Sequence, residues 1–130
     1  MPIHLAVRKD FFMSFRKYSG KDKYHFRYYN LSNNHPFLVV LVLEEKKEKK
    51  RYYLSGFNMT TSPTVPSKKP TRFLKLKVNP NPDDNSQSYL KVDLVKLRPS
   101  KLFSDPLSNW HLSKEDEKTI EVFIKKKYGL

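Results

Sequence analysis

"NNHPFLVVLVLEEKKEKKRYYLSGFNMTTSP", Asn33 to Pro63, opens on turn residues and a proline, runs apolar into a block of charge, then returns apolar to a threonine pair. Phe37 to Leu43 is an unbroken run of Phe, Leu and Val, which at this length signals a strand buried on both faces. "EEKKEKKR" reads as the solvated tip of a hairpin and "YYLSGFNM" as the strand that returns from it. Gly56 inside that returning strand predicts a bulge or a close backbone approach.

Upstream, "KYHFRYYNL" (Lys23 to Leu31) is rich in aromatics and reads as a strand that ends in the turn residues "SNN" before His35 and Pro36. The segment from Asp10 to Gly20 reads either as a short capped helix with Phe11, Phe12, Phe15 and Tyr18 on one stripe, or as a strand. Downstream, Ser62 to Pro70 is an irregular, positively charged loop. "RFLKLKV" alternates, placing Leu74, Leu76 and Val78 on a buried face and Lys75 and Lys77 on the other. "NPNPDDNSQ" is turn chemistry throughout, and "SYLKVDLVKL" switches phase near Leu94, predicting a bulge or corner there.

"RPSKLFSDPLSNWHL" reads as a long loop pinned to the body by Trp110. Ser113 then caps a helix with Asp116 at its third position, and Ile120, Phe123, Ile124 and Tyr128 form its buried stripe before Gly129. Five or so short strands, irregular loops and a terminal helix predict an α+β fold on a small, strongly curved antiparallel β-barrel. The length, 130 residues, fits one domain, and no composition break or repeat divides it.

Composition narrows the partners. The 26 Lys and Arg against 13 Asp and Glu leave a formal charge of +13, more than solubility requires, and call for an anionic partner. Aromatics interleaved with cations suit stacking on unpaired bases better than reading a duplex groove, although most rings belong in a core. With zero cysteines the chain has no disulfide, thiolate metal site or Cys nucleophile. The longest apolar run, Phe37 to Leu43, is far short of the ~20 residues that cross a bilayer, and no signal peptide is evident. A cytoplasmic protein without membrane attachment is expected.

His4, His25, His35 and His111 show no metal-ligand spacing, so neither metal nor other cofactor is expected. Three isolated glycines make no phosphate loop. What remains is phosphate chemistry by cations, imidazole and hydroxyls. RNA cleavage needs no metal and no protein nucleophile, because the ribose 2′-OH attacks its own phosphate if a base takes its proton, an acid protonates the leaving oxygen and cations stabilise the added charge.

The order of elements resembles the MazF/PemK family of toxin endoribonucleases from about Tyr24 to Tyr128. The resemblance is carried by His-Pro before "FLVVLVL", the strand ending in "NMTTSP", a basic loop, "YLKVDLVKLRPSKL" and the final "LSKEDEKTIEVFIKKKYG" helix. It implies an SH3-like barrel, commonly dimeric, that cuts single-stranded RNA without metal and is silenced by an acidic antitoxin protein. The family motif places its cleavage residues at an Arg before a Pro and at the first Thr of a doublet. Carried over, these fall on His35, which replaces the Arg, and on Thr60, with Thr61 beside it. The family's Gly-rich N-terminal segment is absent, and residues 1–22 read as an addition.

If the two strands pair as a hairpin, the start of the first lies beside the end of the second, within reach of one phosphate. His35 then serves as base or acid, and Arg27, Arg51 or Arg72 supplies the permanent charge. Lys68, Lys69, Arg72, Lys75 and Lys77 cluster on one loop and its following strand as the expected RNA-binding face. Two other readings stay open: a non-catalytic basic barrel that binds single-stranded nucleic acid, and an interaction module whose basic face docks an acidic protein.

Overall fold

The computed structural model describes residues 15–17, 24–30, 35–46, 51–61, 73–92 and 97–129. Among them the strands are β1 (Phe15–Lys17), β2 (Phe26–Tyr29), β3 (His35–Glu45), β4 (Tyr52–Thr60), β5 (Phe73–Lys75), β6 (Tyr89–Lys91) and β7 (Arg98–Pro99). A 3-10 turn (Ser100–Leu102) and one helix, α1 (Lys114–Tyr128), follow. The architecture is α+β, and all its strand pairs are antiparallel.

The apolar run forms the centre. Phe37 through Leu43 are all buried, as a strand covered on both faces must be. The β3–β4 hairpin pairs Phe37 with Asn58 and Glu44 with Tyr52, with one register shift between Val39 and Leu41. The irregularity lies on β3, facing the stretch of β4 where the sequence holds its glycine. A Cβ on Gly56 would sit 1.8 Å from the Leu38 carbonyl oxygen, so only glycine lets the two backbones approach here.

Each long strand carries two short partners on its outer edge. β3 pairs with β1 at its late end and with β2 at its early end. β4 pairs with β7 through Tyr53 and Leu54 and with β6 through Met59 and Thr60. β5 then adds to β6 and ends the path, so the sheet is not closed. The chain after β7 crosses back to β2 through a single bridge, Tyr29 with Phe103, and through Leu107 N–H donating to the Phe26 carbonyl at 2.8 Å.

Two cores flank the central hairpin. Phe26, Leu38, Val40, Phe57, Met59, Leu76 and Leu90 pack against Ile120 and Ile124 of α1. On the other side Tyr29, Phe37, Val39, Val42 and Leu54 pack against Phe103, whose ring stacks on Tyr29 with centroids 4.6 Å apart. The helix begins as expected, Asp116 N–H donating to Ser113 Oγ at 3.1 Å, and ends on Gly129 in the left-handed conformation. Phe123 and Tyr128 are half-buried at the core margin, and the Tyr128 hydroxyl donates to the Val92 carbonyl at 2.7 Å.

The alternation read over residues 72–78 stops early. Leu76 is buried, but Val78 is 53% exposed because the chain leaves the sheet after β5 to meet the helix. There the Asp116 carboxylate, only 3% exposed, accepts both the Lys77 and Val78 backbone N–H groups at 3.0–3.1 Å. The segment 10–20 holds a strand at residues 15–17. Asp10 to Ser14, the tip residues 47–50, the loop 62–72 and the corner expected near Leu94 lie outside the described residues.

Candidate functional site

At the open end of the hairpin, where β3 begins and β4 ends, lies a cleft of about 320 Å³. It is lined by His35, Pro36, Met59, Thr60 and Thr61 from the hairpin, by Tyr28 and Trp110, and by Asn79, Asn81 and Asp84. The two sequence-predicted ends therefore meet. The hairpin ladder ends at the pair Phe37–Asn58, and beyond it His35 and Thr60, two residues further on each strand, both line the cleft. Consecutive residues of both strands contribute, so the cleft sits at the strand ends rather than over one face.

The remaining walls come from far along the chain. Trp110 packs on Phe26 and Tyr28, with ring centroids 5.7 and 6.3 Å away, and so forms an aromatic side of the cleft. The turn from Asn79 to Ser86 forms the polar side and is held by its own side chains. Asn79 Oδ1 accepts from Asn81 N–H at 2.9 Å, and Asn81 Oδ1 accepts from Asp83 N–H at 3.0 Å. Asp84 Oδ1 accepts from both the N–H and the hydroxyl of Ser86, which holds its carboxyl below the usual carboxylate range. His111 N–H donates to the Pro80 carbonyl at 3.2 Å and ties the two walls together.

The predicted cations distribute differently. Arg27 donates to the Ser104 carbonyl at 2.7 Å, securing the crossing chain to β2, and does not line the cleft. Arg51 lies 3.8 Å from Glu45 near the hairpin tip, at the opposite end of β4 from Thr60. At about 3.3 Å per residue over the nine steps from Arg51 to Thr60, that separation is roughly 30 Å. Lys77 pairs with Glu115 of the helix. Lys75 is exposed and stands in one cross-strand row with Thr60, through the pairs Thr60–Tyr89 and Tyr89–Lys75. Two strand spacings separate it from Thr60, roughly 10 Å. Lys68, Lys69 and Arg72 lie outside the described residues.

Among the described residues lining the cleft none is Lys or Arg. Nor do the described residues hold any group of three or more His, Cys, Asp or Glu arranged to bind a metal ion. No described helix is long and apolar enough to cross a membrane. Sequence reasoning missed Tyr28, Asn79, Asn81 and Asp84. The cleft residues carry an imidazole, three hydroxyls counting the Tyr28 phenol, two amides, one carboxylate and the rings of Tyr28 and Trp110, a set suited to hydrogen-bonding and stacking a polar, planar ligand. No family model, curated protein or solved structure matches this chain.

Proposed function

We propose that this chain is a toxin-type endoribonuclease of a toxin–antitoxin system, cleaving single-stranded RNA without a metal. The observation that carries the reading is that His35, Thr60 and Thr61, separated by the whole hairpin in sequence, line one cleft. His35 takes the proton of a ribose 2′-OH, whose oxygen attacks the adjacent phosphorus. The Thr60 hydroxyl donates to a non-bridging phosphate oxygen as charge builds on it. The bond to the 5′ oxygen of the next nucleotide breaks as that oxygen takes a proton from water, leaving a 2′,3′-cyclic phosphate and a 5′-hydroxyl, and the His35 imidazolium returns its proton to the solvent. Lys75, in the cross-strand row of Thr60, supplies positive charge to the flanking backbone.

The same reading includes a small SH3-like barrel, which the crossing of residues 98–107 from β4 back to β2 supports. It also includes a homodimer, a cytoplasmic location, and an acidic antitoxin that covers the basic face of a chain with net charge +13. A second reading is favoured by one observation, the lack of Lys or Arg among the described cleft residues. On that reading the chain binds single-stranded RNA or an acidic partner and cuts nothing.

Incubation of the purified protein with mixed-sequence RNA in EDTA separates the two. The first reading expects fragments bearing 5′-hydroxyl ends. Intact RNA after prolonged incubation with excess protein contradicts it and leaves the binding reading, in which log affinity falls with log salt by about 0.7 per phosphate contact.

A further inference from the structure

The polar wall of the cleft has a specific hydrogen-bonding sense. Each side chain that holds the 79–86 turn uses some of its polar atoms and leaves others. Asn81 Oδ1 is taken by Asp83 N–H, which fixes the amide orientation and leaves the Nδ2 hydrogens without a partner among the described residues. Asp84 Oδ1 is taken twice by Ser86, and its Oδ2 likewise has no partner among them. Both residues line the cleft, three positions apart on one turn, together with the rings of Trp110 and Tyr28. The turn therefore offers the cleft a donor and an anionic acceptor, and the aromatic side offers a surface on which a planar group stacks.

We infer that this cleft binds a guanine base, with Asp84 Oδ2 accepting from both N1–H and the 2-amino group and Asn81 Nδ2 donating to O6. The inference rests on the single-stranded RNA reading and names the base that occupies the cleft next to His35 and Thr60. Guanine is the one common base that presents two adjacent donors followed by an acceptor on its Watson–Crick edge. Adenine and cytosine turn a ring nitrogen lone pair toward the carboxylate. Uracil offers one N–H between two carbonyl oxygens, one of which faces the carboxylate. The two Ser86 donors keep Asp84 ionised at neutral pH, so the acceptor carries full charge.

The test needs no cleavage. Trp110, the sole tryptophan, reports binding by fluorescence when the full chain is titrated with GMP, IMP, AMP, CMP and UMP. GMP should bind roughly tenfold or more tighter than AMP, CMP and UMP, with IMP intermediate because it lacks the 2-amino group. Asp84→Asn keeps an oxygen for the Ser86 donors and should bring the common nucleotides to within about twofold of one another. Asn81→Asp keeps the acceptor for Asp83 N–H, loses the donor to O6, and should weaken GMP most. Equal affinities in the wild type, no response to any nucleotide, or a guanine preference that survives Asp84→Asn would overturn the assignment. Guanine preference with uncut RNA defeats only the cleavage reading, and cut RNA without the preference defeats only this one.

Discussion

From Phe37 to Leu43 every residue of β3 is buried, whereas two positions earlier the same strand begins on the exposed imidazole of His35. On β4, likewise, Leu54 to Phe57 are buried and Thr61 just past its end is exposed. One hairpin thus has a closed middle and an open end. The middle is covered by α1 on one face and by Phe103 on the other. The end is flanked by Trp110 and the 79–84 turn, which leave a cleft of about 320 Å³ in place of a packed layer. What separates the regions is the covering. Apolar rings and branched chains fill the first, and short amides and a carboxylate that hold their own turn leave room at the second.

If the middle is as tightly set as its backbone approach requires, Gly56→Val should have the largest effect. Its Cβ would overlap the Leu38 carbonyl, and chemical denaturation should show a loss of at least about 3 kcal/mol or no cooperative transition. A stable Gly56→Val protein would break the contrast, because the middle would then tolerate the looseness assigned to the end.

Asp116 joins the two regions, since it sits on the helix that covers the core and accepts from the chain entering the cleft turn. Asp116→Ala should cost about 2 kcal/mol, from two backbone donors left without their acceptor. It should also weaken nucleotide binding in the cleft, which a denaturation curve paired with a Trp110 titration would reveal. Lost stability with unchanged binding would show that the turn holds its shape without the helix.

The smallest effect is expected at alkaline pH. The Tyr24 phenol, packed against the helix-side core, is pushed up to about 12 by burial and then by Glu121 and Glu117. With the folded value above the unfolded 10.0, its stabilising contribution is complete below pH 10 and lost as pH rises from there toward 12. Tyr24→Phe should flatten that alkaline decline in denaturation midpoints, and an unchanged pH profile would remove Tyr24 from it.

How much of this was legible in the sequence follows the same division. The run Phe37–Leu43, the glycine at the close approach, and the Ser113 cap with Ile120 and Ile124 announced themselves, because local pattern and burial agree there. The meeting of His35 with Thr60 followed from hairpin pairing alone. The other walls were not legible. Asn79, Asn81 and Asp84 read as turn formers, and a side chain that binds its own backbone gives the same sequence signal whether or not its remaining atoms face a ligand. Their placement depends on contacts distant in sequence, the Asp116 carboxylate with Lys77 and Val78 and His111 with Pro80. Val78 misled for the same reason, since alternation cannot show where a helix draws the chain out of the sheet.

The central claim is that the open end of the hairpin does chemistry on RNA. Its most direct test is the cleavage rate of His35→Ala and Thr60→Ala on a single-stranded RNA in EDTA, with circular dichroism confirming an unchanged fold. Each substitution should lower the wild-type rate by roughly tenfold to ten-thousandfold, the range for a lost proton-transfer group or a lost donor to developing charge. Wild-type rates in both folded variants would contradict the account and place the reaction away from this cleft.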